Sequence, residues 1–248
     1  MNQDPGRQIF APFLPTWLRE RIGTPELQPG LVHSGNATIL HADLSGFTRL
    51  TAAFATLPDG AERLHDTLNR CYSVLIETIG AYEGDVASIA GDALTAWWPD
   101  RLDPELGRRC GQAMMAAVAA LPAVATPAGP FRFALRIGVS AGLVHAIVAG
   151  LPSHGLHLVL AGPAVAAAVA AESESAAGAL LLREATQAYE TALGADQLRE
   201  EGVTLSWEHF LPPSFAERLR LNELIAEYRR CVPVFAAFDL PRRPEALH

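Results

Sequence analysis

The tightest limit on the fold comes from residues 39–50, ILHADLSGFTRL. An apolar run reads as a buried strand, meets a single carboxylate at Asp43, turns through Ser45-Gly46 and at once takes up the spacing of a helix. A carboxylate at the end of a buried strand is costly unless donors or a positive charge stand beside it. This strand–turn–helix therefore belongs to a layered α and β domain, and it leaves two readings of Asp43. Either it caps the helix that follows, or it binds something cationic.

Size and charge narrow the partners. The chain has 248 residues, half of them apolar and 19% charged, enough for one substantial core and little more. Its net charge is -8, and no basic run is present, so a nucleic acid polymer is not expected as a partner. All 19 basic residues are Arg; the sequence contains no Lys. Cys71, Cys110 and Cys231 lie far apart, which suggests neither a zinc site nor a disulfide framework. The longest small-apolar run, AVAAAVAA, is too short to span a bilayer, and no apolar signal region follows Met1. The expectation is a cytoplasmic protein without a membrane span.

Periodicity then orders the elements. Residues 13–22, FLPTWLRERI, predict a short helix with Pro15 in its first turn. Strand 38–42 and helix 46–54 follow, and a long amphipathic helix carries Leu64, Leu68, Tyr72, Leu75 and Ile79. DVASIAGDALTAWWP predicts a hairpin with Asp92 at its tip. PELGRRCGQAMMAAVAAL is a second long helix, and FRFALRIGVSAGLVHAIVAG predicts two strands meeting around Ser140 to Gly142. LHLVLAG leads as a strand into an Ala-rich helix, ALLL is a last strand before a short helix, and LSWEHFLP closes the domain. The order fits an α+β sandwich with a ferredoxin-like βαββαβ core, a mixed sheet with helices on one face.

An internal repeat bears on domain organisation. FLPPSFAERL at Phe210 echoes FLPTWLRERI at Phe13, and VPVFAAFDL with Asp239 echoes ATILHADL with Asp43 in nearly constant register. The second copy stops after its first strand.

Asp43 and Asp92, one ending a central strand and one on the neighbouring hairpin tip, form the minimum set for a hard divalent cation that keeps water and phosphate as its other ligands. The helix opening at Ser45-Gly46-Phe47-Thr48 turns free N–H groups toward the same place, where a triphosphate is accommodated. The other reading keeps Asp43 as a helix cap and Asp92 as a solvated turn residue.

ATILHADLSGFTRLT followed by YEGDVASIAGDALTAWW resembles the class III adenylyl/guanylyl cyclase catalytic domain, in particular the first domain of bacterial-like soluble adenylyl cyclases. ALRIGVSAG, LHLVLAGPAV and both FLP segments extend the likeness. The resemblance implies that Asp43 and Asp92, with the Leu44 carbonyl, bind two ions, Mg²⁺ or Mn²⁺. It implies that Ser45, Gly46, Phe47, Thr48 and Arg136 face the phosphates of ATP or GTP. For Arg136 the other reading is an edge-strand Arg paired with an acid. The implied division is an N-terminal helix and linker at 1–36, a cyclase homology domain at 37–207, and a linker helix with the first strand of a truncated second repeat at 208–248.

The pattern also departs from the family. A class III site lies between two domains, one giving metal aspartates and the other giving Lys, Asn and Arg. Here Ser88 stands where Lys is expected, Ala166 where Asn is expected and Ala170 where Arg is expected. Alanine neither donates a hydrogen bond nor neutralises charge. Bicarbonate binding, which the soluble branch achieves through a Lys and an Arg, is not supported by Ser88 with Val169 or Ala170. The resemblance thus implies the metal-binding half of a tandem cyclase, converting ATP to cyclic AMP and pyrophosphate against a second cyclase domain in the same or another chain. The alternative is a non-catalytic cyclase homology module with a regulatory or nucleotide/metal-sensing role.

Other residues read as structural. His154 and His157 fall on a loop and strand, where their spacing does not suit a metal; His41 alternates with core positions and is expected to face a polar neighbour. Trp97-Trp98 reads as packing, and Ala164, Ala167, Ala168 and Ala171 suggest close helix approach.

Overall fold

In the computed structural model, residues 14–151, 155–185 and 210 are described. The sheet is organised by β1 (Val32–Ser45), which pairs antiparallel with β3 (Ala93–Pro99) on one side and with β6 (Ala134–Leu151) on the other. With β2 (Asp85–Ala90) and β7 (Gly155–Ala161) at the edges, the order is β2-β3-β1-β6-β7, and β8 (Ala179–Leu182) joins β6 as a parallel partner. Between these strands run α2 (Phe47–Phe54) and α3 (Gly60–Ala81) after β1, and α4 (Pro104–Ala120) after β3. Strands β1, β2, β3 and β6 with these helices make the ferredoxin-like βαββαβ core, and one parallel pair in an otherwise antiparallel sheet makes the sheet mixed.

Both faces of β1 are covered in its second half, where Ala37 to Leu40, Ala42 and Leu44 are buried. Leu40, Ala42 and Leu44 meet Leu68, Tyr72, Leu75, Cys110 and Met114 of the two long helices. Those helices lie together on one face. Ala37 and Ile39 point the other way, toward Trp17 and Leu18 of α1 (Thr16–Arg19) and Ala164 and Ala168 of α5 (Pro163–Glu174). The long helices thus share one face as expected, while the Ala-rich helix and α1 cover the opposite face, which the expectation of helices on one face did not include. Gly138 makes that possible, since a Cβ there would lie 1.9 Å from the Ala168 carbonyl oxygen and 2.4 Å from the Glu172 nitrogen.

Several elements differ from the sequence expectation. The segment expected to form two strands around Ser140 is one continuous β6, because β1 runs 14 residues and pairs with it from Ser45↔Ala134 to Val32↔Ile147. Long-range pairing outweighs the break that Ser-Ala-Gly suggests locally. A small hairpin, β4 (Val124–Thr126) with β5 (Gly129–Phe131), was not expected. β1 begins at Val32, so it reaches back across the 36/37 division. In α1 Pro15 is the N-cap, and the Asp85 carboxylate accepts from the Thr16 and Trp17 amides at 2.8 and 3.0 Å. Phe13, His154, Cys231, the expected short helix after ALLL and the expected second repeat beyond Phe210 lie outside the described residues.

Candidate metal and nucleotide site

Asp43 sits two residues from the end of β1, with Ala93 opposite on β3 and Arg136 opposite on β6. Asp92 follows Gly91 in the two-residue turn between β2 and β3, where Gly91 takes φ 65°, the positive angle such a turn asks of its first residue. Two bonds fix this turn against its surroundings. The Leu44 amide donates to the Asp92 carbonyl at 3.1 Å, and the Tyr72 hydroxyl of α3 donates to the Gly91 carbonyl at 3.0 Å. The hairpin tip is thereby fastened to β1 at the residue after Asp43. Both half-buried aspartates come to the same end of the sheet, as the sequence suggested.

Their fields reach the same neighbours. Burial first, then the charges of Cys71, Asp92 and Asp43, pushes the Tyr72 phenol above its ordinary pKa, so it stays a donor. The Arg136 guanidinium is likewise held more firmly protonated, chiefly by its hydrogen bond to Asp43. One terminal nitrogen of Arg136 donates to Asp43 Oδ2 at 2.5 Å. Its Nε lies 3.1 Å from Oε1 of Glu172 on α5, close enough to attract but without the alignment of a hydrogen bond. Arg136 thus pairs with two acids, on an interior strand rather than an edge.

After Asp43 the chain completes β1 at Ser45 and enters α2 without a side-chain cap. Gly46 is the N-cap of α2 at φ 88°, and no side chain caps that helix, so Asp43 is not spent as a cap. Ser45 Oγ is buried without a partner, Phe47 packs partly against the core, and Thr48 is exposed. Among the described residues no group of three or more His, Cys, Asp or Glu could hold a metal ion. Two carboxylates with a neighbouring carbonyl at Leu44 still suit a hard cation that draws its remaining oxygens from water and phosphate.

The three departures lie elsewhere. Ser88 is exposed on edge strand β2, while Ala166 is exposed and Ala170 half-buried on α5. Ser88 lines a groove of about 720 Å³ with α1, His157 and Phe210, and neither Asp43 nor Asp92 borders that space. That groove is therefore not the carboxylate site. His41 meets Thr95 at 2.9 Å, the polar neighbour expected of it, and burial lowers its pKa against the raising effect of Glu172 and Asp43. Trp97 and Trp98 are buried, Trp98 donating to the Tyr82 carbonyl at 2.8 Å. Sequence reasoning missed Glu172 and the use of the Tyr72 hydroxyl. The available signal was spacing: Glu172 falls four residues after Ala168 and eight after Ala164, on the buried face of α5.

A model of the adenylate and guanylate cyclase catalytic domain matches residues 32–204. This chain belongs to that family. Over 66 residues this cyclase domain is 38% identical to adenylate cyclase type 10 of Rattus norvegicus and 36% identical to that of Homo sapiens, covering 25% of this chain. The match spans only 4% of the length of those curated relatives. In three dimensions the domain is similar to a bacterial light-regulated adenylyl cyclase, with TM-score 0.54 and 20% identity over 67% of this chain and 48% of that one. It is also similar to the guanylyl cyclase domain of the RhoGC fusion protein of Blastocladiella emersonii, with TM-score 0.50 and 22% identity over 62% of this chain and 82% of that one. At such identities the likeness is one of fold. No helix among the described residues is long and apolar enough to cross a membrane.

Proposed function

We propose that this cyclase domain is the metal-binding half of a tandem nucleotidyl cyclase that converts ATP to cyclic AMP and pyrophosphate and needs a second domain for its remaining groups. The observation that carries the reading is the meeting of Asp43 and Asp92 at one sheet end, tied by the Leu44–Asp92 backbone bond. Asp43, Asp92 and the Leu44 carbonyl would hold divalent ions, Mg²⁺ or Mn²⁺, which supply charge stabilisation to the attacking and leaving oxygens of an in-line displacement. The chain itself presents hard anionic oxygens in a fixed array, and it offers the first amides of α2, around Phe47 and Thr48, to the phosphates. Arg136 stands beside the site as a further cation. In the reaction the ribose 3′-oxygen bonds to the α-phosphorus, the bond from that phosphorus to the bridging oxygen breaks, the hydroxyl proton passes to solvent and pyrophosphate leaves.

Ser88, Ala166 and Ala170 explain why a partner domain is needed. Each missing charge-stabilising group costs about two to three orders of magnitude in rate. ATP is preferred over GTP here on the strength of the likeness to adenylate cyclase type 10. The test measures cyclic AMP formed from Mn²⁺-ATP, with GTP in parallel, by this chain alone and by this chain joined to a cyclase domain that carries Lys, Asn and Arg at the three positions. Activity only in the joined protein is expected, and activity of this chain alone would refute the half-site. The second reading, a regulatory module, draws support from the Asp43–Arg136 ion pair, which occupies a metal carboxylate. Activity in neither protein would favour it.

A further inference from the structure

Arg136 and Glu172 carry an arrangement that the proposed chemistry does not use. Arg136 Nε and Glu172 Oε1 are both buried, both lack a hydrogen-bond partner, and face each other at 3.1 Å. Unmet donors and acceptors in a buried place are costly, and two of them in apposition leave an unused bond within reach of a small side-chain rotation. What prevents it in this structure is the other end of the same guanidinium. Its terminal nitrogen is drawn 2.5 Å from Asp43. A single planar group is thus shared between two carboxylates and aligned with only one. The Arg136 side chain is 38% exposed and reaches solvent, whereas the Glu172 side chain is 8% exposed and is carried on α5, whose backbone packs closely on Gly138.

We infer that Arg136 is a reversible stopper on Asp43 and that Glu172 is the acceptor to which it moves when a divalent cation takes the Asp43 carboxylate. The inference rests on the metal-site reading above and deepens it by naming what the cation must displace. In the closed state Asp43 is neutralised from within the chain. In the open state Asp43 and Asp92 both face the cation, and Arg136 aligns with Glu172, its free terminal nitrogens directed at solvent or at a bound phosphate. Glu172 is then a positioning residue, acting on the site only through Arg136. Because the cation frees Arg136 and a phosphate would hold it open, each ligand raises the other's affinity by the same factor.

The test uses Mn²⁺ alone, without nucleotide, followed by electron paramagnetic resonance on the full chain. Displacing a charge-assisted hydrogen bond lowers affinity by roughly tenfold to a hundredfold. Arg136→Gln should therefore tighten Mn²⁺ binding by at least about tenfold, and Glu172→Gln should weaken it by about tenfold, since the displaced guanidinium then meets an uncharged acceptor. In the double variant the Glu172→Gln effect should vanish, which separates action through Arg136 from a general field effect or loss of fold. Asp43-dependent Mn²⁺ binding that Arg136→Gln leaves unchanged or weakens would overturn the stopper alone. A Glu172→Gln effect that persists without Arg136 would do the same. No saturable Mn²⁺ binding that Asp43→Asn removes, in any variant, would overturn the metal-site reading and the stopper with it.

Discussion

At the scale of single residues, the site is a balance of charges in a half-dry place. Asp43 and Asp92 are negative, Glu172 is negative and buried, and Arg136 is the cation paired among them. His41 lies on the same face of β1 as Asp43, and burial depresses its pKa below the ordinary 6.5. The unfolded chain therefore takes up the proton first as pH falls. Stability is full above the unfolded value and declines as pH drops through it toward the lower folded value. His41→Gln should flatten that decline, read as the change of urea midpoint between pH 7.5 and pH 5.5; an equally steep loss in the variant would place the titration elsewhere. The aspartates were legible because each interrupts a β-prone run with an unneeded charge. Glu172 was passed over because a carboxylate near the end of an Ala-rich helix reads as solvated, although it continues the Ala164–Ala168 spacing onto the buried face.

At the scale of elements, the face that holds Glu172 depends on how closely α5 approaches β6. A methyl group at Gly138 would sit 1.9 Å from the Ala168 carbonyl and 2.4 Å from the Glu172 amide, and neither is the movable end of a side chain. Gly138→Ala must push the helix off the strand or distort both. Overpacking of this kind costs about 1 to 3 kcal/mol or more. The expected result is a fall in stability of that size in denaturant titration, with weakened contact between Arg136 and Glu172. A variant as stable as the parent would show that α5 rides on other contacts. Periodicity found the helices and the Asp92 hairpin, since these rest on local spacing and turn chemistry. It divided β6 in two because Ser140-Ala141-Gly142 resembles a turn, and only the full-length pairing with β1 reveals that the strand continues.

At the scale of the whole molecule, the proposed half-site combines two aspartates meant for a cation with three positions, Ser88, Ala166 and Ala170, that lack the expected partner groups. If those replacements are what make it a half-site, putting the lost groups back should let two copies complete each other. The triple variant Ser88→Lys, Ala166→Asn, Ala170→Arg is suited to the question because Ser88 and Ala166 are exposed and Ala170 is half-buried. At exposed Ser88 and Ala166 such changes shift stability by only about 0.5 kcal/mol, and at half-buried Ala170 the Arg stem can lie along the helix with its head in water, so the triple variant is expected to fold. Groups that act as a unit are strongly non-additive, so single reversions should do little. The triple variant should form cyclic AMP from Mn²⁺-ATP where the parent does not, and adding Asp43→Asn should abolish the gain. A folded triple variant that binds Mn²⁺ yet turns nothing over would mean that the two copies do not meet in a catalytic geometry. That result would move the chain to the regulatory reading, because the missing chemistry would then have been supplied and still not used.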